Sequence, residues 1–190
     1  MKTLLKWFSK TASANSRVGQ RETPNINALK EWTGKSHVKV IYDSTVDECT
    51  DDGLFNKVKG KPNIAVIGFT TDGDVFGGFY SVAVTEQWRK FYDPNIFAFS
   101  FESHGRCETP QRFVVKGWCR HNALVVFCRG DSWGWFVHIC GGPGEFGFGD
   151  ERAFTFYEHM SESYEGIGDT TLTGKKDCSD DQHCIRIVAV

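Results

Sequence analysis

Several groups of residues have the types and spacing that chemistry uses. Ser132 stands in Gly130-Asp131-Ser132-Trp133-Gly134, a G-x-S-x-G string of the kind that presents a nucleophilic serine in α/β-hydrolases. Gly142, Gly144 and Gly147 spell G-x-G-x-x-G, the fingerprint of a loop that cradles a dinucleotide. Cys107 follows Arg106, with His104 close by, and a neighbouring cation would lower the thiol's pKa and make it reactive. Asp177, Cys178, Asp180, Asp181, His183 and Cys184 crowd together, and Cys119 with His121 forms a second Cys/His pair, so metal ligation has to be weighed as well.

Each chemistry needs its own scaffold. A nucleophile elbow requires a helix after the serine, yet "GWFVHIC" at 134–140 alternates like a strand. A dinucleotide loop also requires a following helix, whose N-terminus faces the pyrophosphate. Here "FGFGDERAFTFY" is β-patterned, Pro143 removes a backbone donor, and Glu145 sets a carboxylate where phosphate would lie. Neither Cys/His group has structural-zinc spacing. No metal and no cofactor is therefore expected. Cys107 remains the candidate reactive thiol, and a thiol-dependent redox or hydrolytic enzyme is the alternative reading of function.

The elements that must position these residues are mostly strands. Residues 1–24 read as a flexible basic segment, with Lys2, Lys6, Lys10, Arg17 and Arg21 and no acid before Glu22. Its short apolar face (Leu4, Leu5, Phe8) would give at most a weak membrane-surface contact. Residues 25–190 read as the folded domain. In it, Ile26, Leu29 and Trp32 have helical spacing, and Gly34 can stop that helix. A second helix starts at Thr50 or Asp51 and stops at Gly60.

Strands are predicted at 37–42, 63–69, 75–84, 96–101, 111–116, 123–128, 134–140, 152–157 and 183–190, with a helix or turn at 85–94. Asp72-Gly73 between two apolar runs marks a hairpin. Gly77 and Gly78 interrupt a strand, which calls for a bulge or a close approach of another chain segment. Gly141, Gly142 and Gly144 suit a turn between strands.

Composition narrows the class. A net charge of −2 and a pI near 6.3 give no basic surplus for nucleic acid. Seven cysteines without a C-x-x-C, and no secretory signal, point to a reducing, cytoplasmic setting. No apolar run approaches the roughly 18 residues of a transmembrane span.

The order of motifs is more specific than any one of them. "LKEWTG", "VKVIYDSTVDECTDDGLFNKVKG", "NIAVIGFTTDGDVFGGFYS", "FYDPNIFAFSF", "ALVVF" and "FVHICGGPGEFGFG" follow one another in a series that resembles the TLDc domain over about residues 27–190. Tyr42-Asp43-Ser44 stands where that family has a Y-S-S strand end. Val75 to Phe79 matches its V-F-G-x-F, Asp93-Pro94 replaces a usual glycine, and "IRIVAV" replaces the final E-V-W.

The resemblance implies an α+β, mainly β fold: a two-sheet antiparallel β-sandwich with a few short flanking helices. It further implies a non-enzymatic protein-interaction module linked to oxidative-stress protection, to regulation of a vacuolar-type proton ATPase, or to both, with a subunit of that ATPase as partner and a place on the periphery of an organelle membrane. The loops at 103–110 and 164–181, long and polar, are the candidate contact surfaces.

Overall fold

The structure, a computed structural model, describes residues 22–103, 107, 109–126, 135–139, 143–149, 152–155, 159–168, 171–172 and 182–190. The chain falls into two compact units, 1–40 and 41–190. In the first, α1 (Glu22–Thr33) carries Pro24 in its opening turn, where a missing N–H costs no helical bond. Thr33 Oγ1 donates to the Leu29 carbonyl at 2.7 Å near the other end.

The second unit is a two-sheet antiparallel sandwich with a few short helices. The larger sheet has the order β5 (Gln111–Val114), β4 (Phe97–Glu102), β3 (Val75–Tyr80), β2 (Ile64–Thr70), β10 (Gln182–Ala189), and β1 (Tyr42–Asp43) pairs with the far end of β10. The smaller sheet runs β9 (Arg152–Thr155), β8 (Phe146–Gly149), β7 (Trp135–Ile139), β6 (Leu124–Val126). β10 belongs to both: its first residues pair with β9 and the rest with β2, with a register shift between Cys184 and Arg186. An irregularity of this kind bends a strand, which lets one chain segment turn from one sheet into the other.

The predicted hairpin is present. β2 and β3 pair from Ile64↔Tyr80 to Phe69↔Val75, and Gly73 takes φ +89° in the turn. All seven residues of β2 are buried, which explains why it reads as an unbroken apolar run rather than an alternation. Ile64 and Val66 join a core with Phe76, Tyr80, Phe146 and Phe148, while Ala65, Ile67 and Phe69 alternate onto the opposite face.

α2 (Asp51–Val58) is capped by Thr50, whose Oγ1 accepts from the Gly53 N–H at 2.9 Å. Asp51 and Asp52 in its first turn suit the helix dipole. Leu54, Phe55 and Val58 form its buried face.

Some expectations need correction. The strand predicted at 37–42 is confined to Tyr42–Asp43, the two residues in register with β10, to which Ile41 adds one N–H bond to the Ala189 carbonyl at 2.9 Å. β3 ends at Tyr80 rather than at 84: Ser81 turns its N–H and hydroxyl to the Asp93 carboxylate and leaves the ladder. Residues 85–94 form no helix; they run alongside 120–126 through Phe91 N–H to Leu124 O and Ala123 N–H to Phe91 O. The separate strand β8, a 3-10 helix at Gly117–Asn122 and the short α3 (Met160–Ser163) were not anticipated.

Candidate functional site

The residues singled out by sequence separate in space. Gly77 and Gly78 lie inside β3 with continuous pairing to β2, so they mark a close approach and not a bulge. The irregularity against β4 sits earlier, between Val75 and Phe76. A Cβ on Gly78 would lie 2.7 Å from Ile139 and 3.2 Å from Phe146, side chains of the opposing sheet. A Cβ on Gly77 would meet the Val66 carbonyl at 2.1 Å and Phe99 at 2.8 Å. These glycines let the sheets and their aromatic residues close on one another.

Gly144 has the same kind of role. Its N–H donates to Ser163 Oγ at 2.9 Å, and a Cβ would lie 2.2 Å from the His159 carbonyl. The segment that holds it joins β7 to β8, which pair at Ile139↔Phe146. A strand, not a helix, therefore follows the glycine string. Gly141 and Gly142 lie outside the described residues. So does Ser132; the next element, β7, is a strand antiparallel to β6. Neither string precedes the helix its chemistry requires.

Cys107 is buried, at 8% exposure. It bridges Ser103, and its Sγ lies 3.9 Å from the Thr171 carbonyl, to which Ser103 Oγ also donates at 2.5 Å. The two candidate contact loops, 103–110 and 164–181, thus meet at Thr171. Arg106 and His104, the neighbours invoked for reactivity, lie outside the described residues.

Among the described residues the other thiols divide: Cys49 is exposed, Cys119 and Cys184 are buried. Burial pushes the Cys184 thiol up to about 12, which keeps it protonated at neutral pH despite hydrogen bonds to the backbone. Burial likewise raises the Tyr80 phenol far above its ordinary value of 10.0. Among the described residues no three His, Cys, Asp or Glu side chains gather to hold a metal ion. Asp177, Cys178, Asp180 and Asp181 lie outside them. No described helix is long and apolar enough to cross a membrane.

The strongest polar constellation is at the β1–β10 seam. Arg186 donates to Asp43 through Nε at 3.0 Å and Nη2 at 2.5 Å, a fork matched to a carboxylate. Thr45 adds its N–H at 3.1 Å and hydroxyl at 2.8 Å. Burial alone would raise the Asp43 pKa; the bonds from Arg186 and Thr45 outweigh it and hold the carboxyl below the usual 3.8. The Arg186 guanidinium also lies over Phe69, 5.6 Å from the ring centre. Ser44 completes the seam, with its N–H to Ile187 O and its Oγ accepting from Ile187 N–H, both at 2.9 Å. The seam ties the first strand to the last, and its work is to fix β1 on β10.

Sequence reasoning missed a rim of exposed aromatic residues. Trp88, Tyr92 and Trp118 are 47%, 52% and 58% exposed, and they lie in two segments that pair through Phe91 and Ala123. The signal was available: aromatic residues beside Arg and Lys in "QWRKFYDP" and "KGWCRHN", outside any strand. A scan of protein-family models finds none that matches this chain, and no curated protein matches it.

Proposed function

We propose that this chain is a non-enzymatic protein-interaction module of TLDc type, which binds a subunit of a vacuolar-type proton ATPase and serves its regulation, oxidative-stress protection, or both. The observation that carries the reading is the packing of Gly78 against Ile139 and Phe146. It lies within "VFGGF", a motif of the resemblance, and faces the strand of "FVHIC" and the aromatic residue of "GEFGFG". Two motifs of the series are thus contact partners of one another in the sandwich. Tyr42-Asp43-Ser44 fits the same account, since all three hold β1 on β10.

Residues consumed in closing a sandwich leave the surface to do the work. The contact surface in this reading is the pair of loops that meet at Thr171. The test is capture of the purified soluble sector of a vacuolar-type ATPase by the immobilised full chain. Capture is expected with the unaltered chain and with Cys107→Ser and Ser132→Ala, and is lost when both loops are shortened. No capture by the unaltered chain sinks the reading. Peroxide protection lost in Cys107→Ser alone, at unchanged stability, favours thiol chemistry instead.

A further inference from the structure

The rim has a chemistry of its own. Residues 117–122 form a 3-10 helix, in which side chains three apart eclipse one another, so Trp118 and His121 share a face. The ring of Tyr92 lies 5.1 Å from that of His121. Backbone bonds hold the two segments in this arrangement: Asp93 N–H to Arg120 O at 3.1 Å, Ala123 N–H to Phe91 O at 3.0 Å, and Phe91 N–H to Leu124 O at 3.1 Å. The result is a strip of Trp118, His121 and Tyr92 on a rigid frame. Trp88 continues along the same segment at φ +61°, a conformation that bulky residues rarely adopt and that the Trp88 N–H to Val126 O bond sustains.

The two segments that carry the strip hold more cations than acids. Lys90 is exposed, Lys116 and Arg120 are half-buried, and Lys116 and Arg120 hydrogen-bond only backbone carbonyls, of Ser161 and Val115. Of the two acids in these segments, Glu86 pairs with Arg89, and Asp93 is fully buried, accepting from Ser81 and Asn95. Lys90, Lys116 and Arg120 therefore lie in the two segments that carry the strip, in a chain whose net charge is −2, and Asp52 of α2 brings in an acid from another element, accepting from Gln87 Nε2 at 3.1 Å.

We infer that this rim docks an acidic segment of a protein partner that also carries apolar side chains. Apolar groups of the segment cover Trp118 and Tyr92, and its carboxylates face Lys90, Lys116 and Arg120. Trp, Tyr and Arg are the residues on which binding energy concentrates when a partner excludes water from them. A few cations on a strip favour a short acidic peptide over nucleic acid, which needs a groove of cations along its backbone. Trp118, His121 and Tyr92 are not among the residues that meet at Thr171, and the rim stands whether or not those loops bind an ATPase.

The test is fluorescence anisotropy of a labelled synthetic peptide alternating Glu and Leu, titrated with the full chain. Expected are saturable binding that weakens with added salt, a loss of about tenfold in Trp118→Ala, a comparable loss in Lys90→Glu, and no binding of a peptide alternating Lys and Leu. Binding that survives unchanged in Trp118→Ala and Lys90→Glu overturns the inference. So does an absence of binding, or tighter binding of single-stranded oligothymidylate, which would make the rim a nucleic-acid surface. Rim variants that lose the peptide but still capture the ATPase sector leave the proposed function intact. A chain that binds the peptide and captures no ATPase sinks that function and leaves the rim.

Discussion

Aromatic residues occupy two regions of this molecule under opposite conditions. Between the sheets, Phe76 meets Phe148 at 5.2 Å and Phe146 at 5.9 Å, and all three are fully buried. A glycine stands against both of the smaller-sheet rings in this trio: Gly68 beneath Phe148 and Gly78 beside Phe146. On the rim, Tyr92 and Trp118 are more than half exposed and no glycine makes room for them. In the interior, ring and glycine specify each other. On the rim the fold leaves apolar surface in water, forgoing about 25 cal/mol for every Å² that burial would have removed. The difference separates side chains that build the sandwich from side chains available to something else.

The comparison breaks most readily where the interior carries charge. Arg186→Met removes the ion-pair partner of a buried carboxylate and is expected to cost about 3–5 kcal/mol, since Asp43 stays in the seam without that cation beside it. Urea unfolding measures it. Adding Asp43→Leu should recover much of the loss, because a buried pair can often be replaced by apolar groups at little cost. A loss below about 1 kcal/mol in Arg186→Met would mean that the pair behaves like an exposed one and that the seam is not interior.

Next comes the ring–glycine fit. Gly68→Ala sets a Cβ 2.1 Å from Phe148, whose ring is held by Phe76 and Phe146 and cannot retreat. Overpacking of this kind costs about 1–3 kcal/mol. Gly78→Ala should cost less, because the nearest atom is a methyl of Ile139 at 2.7 Å rather than a trapped ring. Thermal unfolding of both variants ranks them. Equal midpoints would show that the rings are loosely held and weaken the contrast with the rim.

A smaller effect follows pH. The Asp43 carboxyl is held below its ordinary 3.8, so the folded state binds its proton more weakly than the unfolded chain does. Its stabilisation is complete above the unfolded value and is lost as pH falls through the lower, folded value. Urea midpoints measured from about pH 5 downward should fall more steeply for the unaltered chain than for Asp43→Asn. Parallel curves would remove Asp43 from the acid response.

Much of the fold was legible because its signals are local. Asp72-Gly73 between apolar runs, Thr50 before an apolar helical face and alternating Phe in "FAFSF" each act within a few residues. What failed depended on partners far along the chain. Residues 37–41 have β propensity, but the register with β10 covers Tyr42 and Asp43, and Ile41 adds a single hydrogen bond to Ala189. The end of β3 is set by Asp93, twelve residues beyond Ser81. The glycine strings were legible as turns or close approaches, while the identity of what approaches Gly78 was not. The Asp43–Arg186 pair spans 143 positions, and no spacing rule reaches that far. The rim was hidden for another reason: Trp and Tyr read as core residues until exposure is known, and exposure belongs to the folded chain.

The smallest expected effect is the one that most sharpens the comparison. Trp118→Ala removes the largest side-chain type in the chain, yet its stability should stay within about 0.5 kcal/mol of the unaltered protein. The 3-10 helix that carries it is held by backbone bonds, Cys119 N–H to Lys116 O at 3.0 Å and Asp93 N–H to Arg120 O at 3.1 Å, neither of which involves the indole. Cys119, buried beside it, anchors the turn to the core. Deleting a whole indole on the rim should therefore cost less than adding a single methyl at Gly68, an inversion that follows only if the two regions differ as described. Urea midpoints of Trp118→Ala and Gly68→Ala, read under one condition, decide it. If Trp118→Ala proves the more destabilising, the rim belongs to the packing of the sandwich and is not free to receive a partner.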